Sequence, residues 1–405
     1  MSIKNRNLVI FTLGALSALG PFSIDMYLPA FPAIAKDLNT NIAHVQLSLT
    51  SYFIGISFGQ LIYGPIIDRF GRMTPLFIGL FIYLVTGIFC VFAQSADALI
   101  FFRFLQALGS CAGMVVSRAM VRDIFPVDEN AKIFSLLILV IGVSPILAPT
   151  LGGLVNVHLG WRYIFVFLVL LSVATIALCY RFLYESKPAD KTISLKPKAV
   201  IADYWFAASQ PQFIFYALAG GIAAAGMFAY ISGSAFVFID LFGVSEVNFG
   251  YLFAFNATGL IIASQINRFW LSKRTSKYII VRVSLVQLLM GLSIFALTYF
   301  NAIGLIGTIV LIYVYLAMQG FLFPNCSAMA MAPFSKKAGI ASALLGSIQM
   351  FFSALASAAV SVLFNQTAIP MTGVIAICSF LSFALIIIGR SFIKKRESGL
   401  ETVIT

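Results

Sequence analysis

Apolar residues run along this chain almost without a break, and polar ones interrupt them at regular intervals. A hydrocarbon layer ~30 Å thick takes ~20 apolar residues per helix. Twelve runs meet that length, roughly 8–30, 44–66, 75–94, 98–120, 131–156, 162–184, 208–239, 246–266, 277–299, 303–332, 338–364 and 370–392. One clear hydrophilic stretch, "YESKPADKTISLKPKAVIADYW" from Tyr184 to Trp205, divides them six and six. The pattern predicts an all-α polytopic membrane protein of two six-helix bundles. Residues 1–184 form the first bundle, 185–207 a charged linker, 208–392 the second bundle and 393–405 a tail.

Composition agrees. The chain is 61% hydrophobic and only 10% charged, where soluble domains carry about 25% charge; its mean hydropathy is +1.01. The net charge of +12 would suit a nucleic-acid partner, but its placement argues against one. All but Lys36, Arg103 and Arg162 of the Lys and Arg residues fall on one side of the predicted spans. They cluster at Arg69/Arg72, Lys187 to Lys198, Lys273/Arg274, Lys336/Lys337 and Lys394 to Arg396. Such a bias sets orientation toward the cytoplasm, so both termini are expected there. Five cysteines (Cys90, Cys111, Cys179, Cys326 and Cys378) sit singly inside spans and suggest neither a metal site nor a disulfide framework. The first span is too long for a cleaved signal peptide.

"YFIGISFGQLIYGPIIDRF" (Tyr52 to Phe70) aligns without gaps on "YLFAFNATGLIIASQINRF" (Tyr251 to Phe269), at the second span of each half. Internal repeats of this kind are the usual build of secondary transporters. The first copy runs on into "GPIIDRFGRM", where Gly64 and Pro65 are expected to end the helix. Asp68 and Arg69 follow, and Gly71-Arg72 should turn the chain tightly into the third span. The basic residues and the glycine would serve topology alone; Asp68 would not.

Here the chain resembles the major facilitator superfamily, whose signature loop has the pattern G-x-x-x-D-R-x-G-R. Gly64, Asp68, Arg69, Gly71 and Arg72 match it position for position, and the resemblance implies a cytoplasmic gate. Asp123, at the end of span four, is expected to pair with Arg69 or Arg72. The second copy departs from the pattern, with Asn267 in place of the acid and no turn glycine. "APTLGG", with Pro145 before it and Pro149, Gly152 and Gly153 within it, resembles the fifth-span motif of drug-exporting antiporters; a packing seam would have much the same sequence. "SIDMYLPAFPAI", "RFLQALGS", "SRAMVRDIF" and "GWRYIF" narrow the likeness to the bicyclomycin-resistance branch of the twelve-helix drug/proton antiporters.

Asp25 is the one acid well inside a predicted span, and Arg103 lies at a comparable depth in span four. An ionised side chain at mid-membrane costs roughly 2.5 to 3.5 kcal/mol on insertion scales, so such residues mark function by default. The residues alone leave two readings: a proton-coupling pair, or a helix-capping acid and an arginine that snorkels outward. The resemblance favours proton coupling at Asp25, with Arg103 modulating it or holding polar substrate. Gln106, Ser110 and Met114 share a helical face with Arg103. With Tyr52, Asn256, Tyr315, Gln319 and Gln349, they are expected to line a substrate cavity; interhelical hydrogen bonding would also explain each one.

No Gly-Lys dipeptide exists to build a nucleotide-binding loop, and the two histidines, His44 and His158, make no catalytic set. An enzyme is therefore not expected, nor is a cofactor or metal. The resemblance implies a proton-coupled drug/proton antiporter that exports small amphipathic compounds by alternating access. A transporter of a specific natural metabolite (amino acid, sugar derivative or siderophore) stays open on the same fold. The expected partners are a small-molecule substrate, protons and the lipid bilayer, with no nucleic acid. The chain is expected to be a monomer in the bacterial cytoplasmic membrane.

Overall fold

The computed structural model describes residues 6–334 and 338–404, leaving aside the side chains at 127, 128, 130–132, 135, 138 and 394–404. Lys336, Lys337 and the side chains of Lys394 to Arg396 therefore lie outside the described residues. The elements are helices throughout: α1 (Arg6–Asp25), a short 3-10 turn (Leu28–Ala30), α2 (Phe31–Asp37), α3 (Ile42–Phe70), α4 (Met73–Val91), α5 (Ala96–Ile124), α6 (Val127–Leu159) and α7 (Arg162–Phe182). They continue with α8 (Pro197–Ala208), α9 (Pro211–Ala235) with a π-helical turn (Phe236–Leu241), α10 (Glu246–Leu271), α11 (Ser276–Tyr299), α12 (Leu305–Met331), α13 (Ala338–Val362) and α14 (Ile369–Ile404). Among the described residues, twelve of these segments are long and apolar enough to cross a membrane, α1 to α2 counting as one. The chain is a multi-pass membrane protein.

Local chemistry sets the boundaries. Asn41 and Ser95 accept hydrogen bonds from the His44 and Ala98 amides at 2.8 and 3.2 Å, capping α3 and α5. Gly71 ends α3 at φ 85°, a left-handed conformation that glycine adopts without steric cost. Two boundaries differ from expectation. Helix α3 does not end at Gly64 and Pro65 but runs through them to Phe70, because one proline removes a single ladder donor and neighbouring helices tolerate it. The first span extends to Asp37 and is broken after Asp25. Pro29 has no N–H to offer the Asp25 carbonyl four residues back, and Pro32 has none for Leu28.

The helices pack as two compact units: Met1–Val200 with Ala235–Ala254, and Ile201–Ser234 with Phe255–Thr405. In the first, α5 is the hub, lying against α3 and α4 along small residues. A Cβ on Gly55 would sit 2.6 Å from the Phe104 carbonyl, and one on Gly109 would sit 2.5 Å from the Tyr83 amide. Small residues at such seams let membrane helices approach backbone to backbone. In the second unit α11 packs against α12 and α14, over a core that includes Phe213, Ile279, Val283, Leu322 and Ile386. The five cysteines are free and buried.

Candidate functional site

The break after Asp25 exposes carbonyls at the end of α1 inside the first unit, and a buried cation takes one of them. Arg103 of α5 is fully buried and donates from Nη2 to the Ser23 carbonyl at 2.6 Å. Its Nη1 donates to Gln106 Oε1 at 2.7 Å. The guanidinium lies 4.1 Å from the Tyr52 ring centroid and 4.4 Å from that of Tyr27; such faces attract a desolvated cation by about 2 kcal/mol or more. With the Phe165 ring 5.8 Å away as well, the charge is met by a carbonyl, an amide and three rings rather than by a carboxylate.

Asp25 itself is buried, 4% exposed, and among the described residues no side-chain hydrogen bond or ion pair reaches its carboxyl. Arg103 lies near it, reaching Ser23 two residues before Asp25, but the arginine turns to the backbone and not to the carboxyl. Around them Tyr52 donates to Ser110 Oγ at 2.8 Å, the Ser23 and Tyr83 hydroxyls bond at 2.6 Å, and the Tyr27 and Ser48 hydroxyls at 3.3 Å. Met114 sits against Gly20 of α1, where an added Cβ would lie 3.0 Å from its sulfur. Two donors, Arg103 Nε and Gln106 Nε2, are buried without a partner. Unpaired buried donors are costly, and here they cluster beside Asp25's break.

The other four expected cavity residues lie in the second unit. Asn256 donates to the Tyr230 hydroxyl at 3.0 Å, and Gln319 accepts from Gln287 at 3.2 Å. Tyr315 packs its hydroxyl against Gly226, and Gln349 is 8% exposed. Asn256 Oδ1, the Tyr315 hydroxyl and Gln319 Nε2 are buried without partners. A cavity of about 540 Å³ in this unit, between Phe295, Ile369 and Phe380, includes none of these four residues in its lining.

The α3–α4 turn forms a second constellation in the first unit. Arg72, buried, donates from Nε to Asp123 Oδ2 and from Nη1 to Asp68 Oδ1, both at 2.8 Å, and also to the Ile67 carbonyl at 2.7 Å. Burial works against its charge, but the bonds to Asp123 and Asp68 outweigh this and hold the guanidinium above its ordinary pKa. Asp123 pairs with Arg72 and not with Arg69, which donates instead to the carbonyls of Lys191 and Ile193 in the linker. Gly64 lies within α3, and Gly71 supplies the turn. Glu185, to which no sequence signal pointed, caps α4: its carboxylate accepts from the Arg72 amide at 2.7 Å and the Met73 amide at 3.1 Å. In the second copy Asn267 accepts from Asn325 at 2.7 Å, and α10 continues to Leu271 without a turn.

Helix α6 carries Pro145 and Pro149 without interruption. The place a Cβ on Gly152 would take is filled by the Met26 carbonyl, and one on Gly153 would lie 2.7 Å from the Glu246 carbonyl. One turn on, Asn156 donates to the Glu246 carboxylate at 2.6 Å. The two glycines thus bring α6 against the α1 break on one side and the start of α10 on the other. Among the described residues no group of three His, Cys, Asp or Glu is placed to hold a metal ion.

Comparison with known proteins places this geometry. The Major Facilitator Superfamily profile matches residues 13–357. The MFS-type transporter YdgK of Bacillus subtilis (strain 168) is 35% identical over 383 residues, covering 93% of this chain and 94% of its own. A bicyclomycin resistance protein homolog of Haemophilus influenzae is 30% identical over 94% of this chain and 95% of its own. The multidrug resistance protein MdtL of Escherichia coli is 27% identical over 92% and 93%. Among solved structures, a D-xylose–proton symporter superposes with a TM-score of 0.72 at 14% identity, covering 94% of this chain and 96% of its own. An inward-facing bacterial homolog of the human lysosomal transporter Spinster gives 0.71 at 15% identity, covering 97% of each.

Proposed function

Because the chain belongs to the Major Facilitator Superfamily, a family of transporters and not of enzymes, we propose that it is a drug/proton antiporter exporting small amphipathic compounds by alternating access. The observation that carries this reading is Asp25: a carboxyl buried at a break in a membrane-spanning helix, with no side-chain partner. A group so placed can take up and release a proton as its access to water changes. Arg103, held by Ser23 two residues before Asp25, keeps a fixed positive charge close to the break and so sets the field that the proton meets. The unpaired donors of Arg103 and Gln106 suit polar substrate groups, and Tyr52, Ser110 and Met114 complete that side of the binding surface. Within the second unit, Asn256, Tyr315 and Gln319, which carry buried unpartnered polar atoms, and Gln349 are further candidates for contact with polar substrate groups.

The names of the relatives, for bicyclomycin and multidrug resistance, favour drugs over a single metabolite. The α3–α4 turn, with Asp68, Arg69, Arg72 and Asp123, acts in this scheme as a cytoplasmic gate. Pro145, Pro149, Gly152 and Gly153 give α6 its close approach to the α1 break. The chain would work as a monomer in the bacterial cytoplasmic membrane with both termini inside, its two six-helix bundles joined by the linker at 185–207.

The test is dissipation of a proton gradient in inside-out vesicles by cationic, neutral, zwitterionic and anionic compounds, with Asp25→Asn vesicles alongside. Release by several unrelated compounds in the native protein and by none in the variant is the expected result. A response to one compound class alone makes the protein a metabolite transporter. A variant equal to the native protein removes Asp25 as the proton site.

A further inference from the structure

Helix α8 is amphipathic the wrong way round for a helix in water. By its 3.6-residue period, Lys198, Ile201, Ala202, Trp205 and Phe206 share one half of its surface, and Val200, Asp203 and Ala207 the other. The first half is the exposed one: Ile201 is 64%, Trp205 73% and Phe206 46% exposed, whereas Ala207 is buried and Asp203 is half-buried. A helix facing water would turn Asp203 out and Trp205 in.

Connectivity says what lies next to that face. The Ser209 amide closes onto the Trp205 carbonyl at 2.8 Å and the Gln210 amide onto the Ala207 carbonyl at 3.2 Å. Helix α9, a membrane-crossing segment, then starts at Pro211. Three backbone steps reach ~11 Å at most, so α8 ends within the headgroup depth of a bilayer that α9 enters. Tryptophan prefers this depth, with its ring in the apolar boundary and its N–H toward water. The charge is complementary as well: between Asp190 and Asp203 lie Lys191, Lys196 and Lys198, all exposed, and no acid. Basic residues next to an amphipathic helix are drawn to anionic lipid.

We propose that α8 lies in the membrane interface, with Ile201, Trp205 and Phe206 immersed among acyl chains and Lys196 and Lys198 on anionic phospholipid headgroups. The contact tethers the linker at one end. At its other end Glu185 caps α4, and the carbonyls of Lys191 and Ile193 hold Arg69. Lipid charge therefore bears on the same segment that completes the α3–α4 turn.

The test uses the full-length protein in vesicles with Trp161→Phe and Trp270→Phe, leaving Trp205 as the single tryptophan. Lipids brominated high on the acyl chain are expected to quench its fluorescence, and aqueous iodide is not. Quenching by bromolipid should be roughly two-fold stronger in phosphatidylglycerol-containing vesicles than in pure phosphatidylcholine, and K196Q/K198Q should remove that difference. Iodide quenching without bromolipid quenching overturns the proposal, as does shielding from both, which would mean that protein covers the face. Equal bromolipid quenching in the two lipids overturns the choice of anionic headgroups. Should the tryptophan replacements fail to fold, Ile201→Cys in the native background gives the same answer. The natural cysteines are buried, so a membrane-impermeant maleimide reports on position 201: slow labelling in anionic vesicles supports the proposal, and labelling as fast as in detergent overturns it.

Discussion

Ser23 gives its backbone carbonyl to Arg103 at 2.6 Å, two residues before the carboxyl that the same helix buries at its end. Ser23 lies in the last turn of α1, which ends at Asp25, and the last carbonyls of a helix look for partners outside it. A hydrogen bond to a charged group contributes about 1.5–3 kcal/mol. Lysine has no planar fork with which to reach the Ser23 carbonyl and Gln106 at once. Arg103→Lys is therefore expected to keep the fold and lower the transport rate about ten-fold or more. Substrate-driven proton flux checks the rate, and a thermal-unfolding scan checks the fold.

Asp25→Asn removes the titrating group and keeps its size. Proton-coupled transport is expected to vanish while binding of a transported compound stays within about three-fold of native, since no side-chain bond reaches Asp25. Asp25→Glu should transport partially, because the group still titrates. Equilibrium binding beside vesicle transport separates the two effects. Loss of binding in Asp25→Asn would make this carboxyl a substrate ligand instead.

The sequence made the spans legible because apolar length is what a bilayer demands, and that demand tolerates proline. Pro65 therefore does not end α3, and the first span is longer than its apolar run: Pro29 and Pro32 break the helix, yet α2 carries it on to Asp37. Asp25 and Arg103 stood out as intramembrane charges, but nothing in residue order shows that an arginine will choose a carbonyl over a carboxylate. The aligned Tyr52 and Tyr251 illustrate the same limit, the first fully buried and the second 58% exposed. Glu185, Asn156 and Glu246 matter through contacts 90 or more residues away in sequence, which local residue order does not announce.

The α3–α4 turn depends on Glu185, whose carboxylate answers two amides that the start of α4 leaves open. Losing a cap typically costs about 0.5–2 kcal/mol. Glu185→Ala is expected to lower stability by about 1 kcal/mol and Glu185→Gln by less, because the amide oxygen can still accept. Combining Glu185→Ala with Asp123→Asn tests whether the cap and the Arg72 pair act as one network. Ser186 also bonds Asp123, at 3.0 Å, so the double variant should depart from additivity by at least about 0.5 kcal/mol. Chemical or thermal unfolding of the four proteins gives the cycle.

Gly152 and Gly339 provide a matched pair for the close approach of α6 to the α1 break. A methyl group on Gly152 would occupy the place of the Met26 carbonyl, which is backbone and cannot rotate aside. One on Gly339, exposed in α13, meets nothing within 4 Å. Overpacking costs about 1–3 kcal/mol, whereas Gly to Ala inside a helix returns about 0.5–1 kcal/mol by reducing the freedom of the unfolded chain. Gly152→Ala should therefore lower the unfolding temperature and Gly339→Ala raise it. Transport should fall with Gly152→Ala by more than stability accounts for, because α6 is pushed from the break that holds Asp25. A rate that recovers fully on cooling the Gly152→Ala protein well below its transition would show that the contact only stabilises the fold.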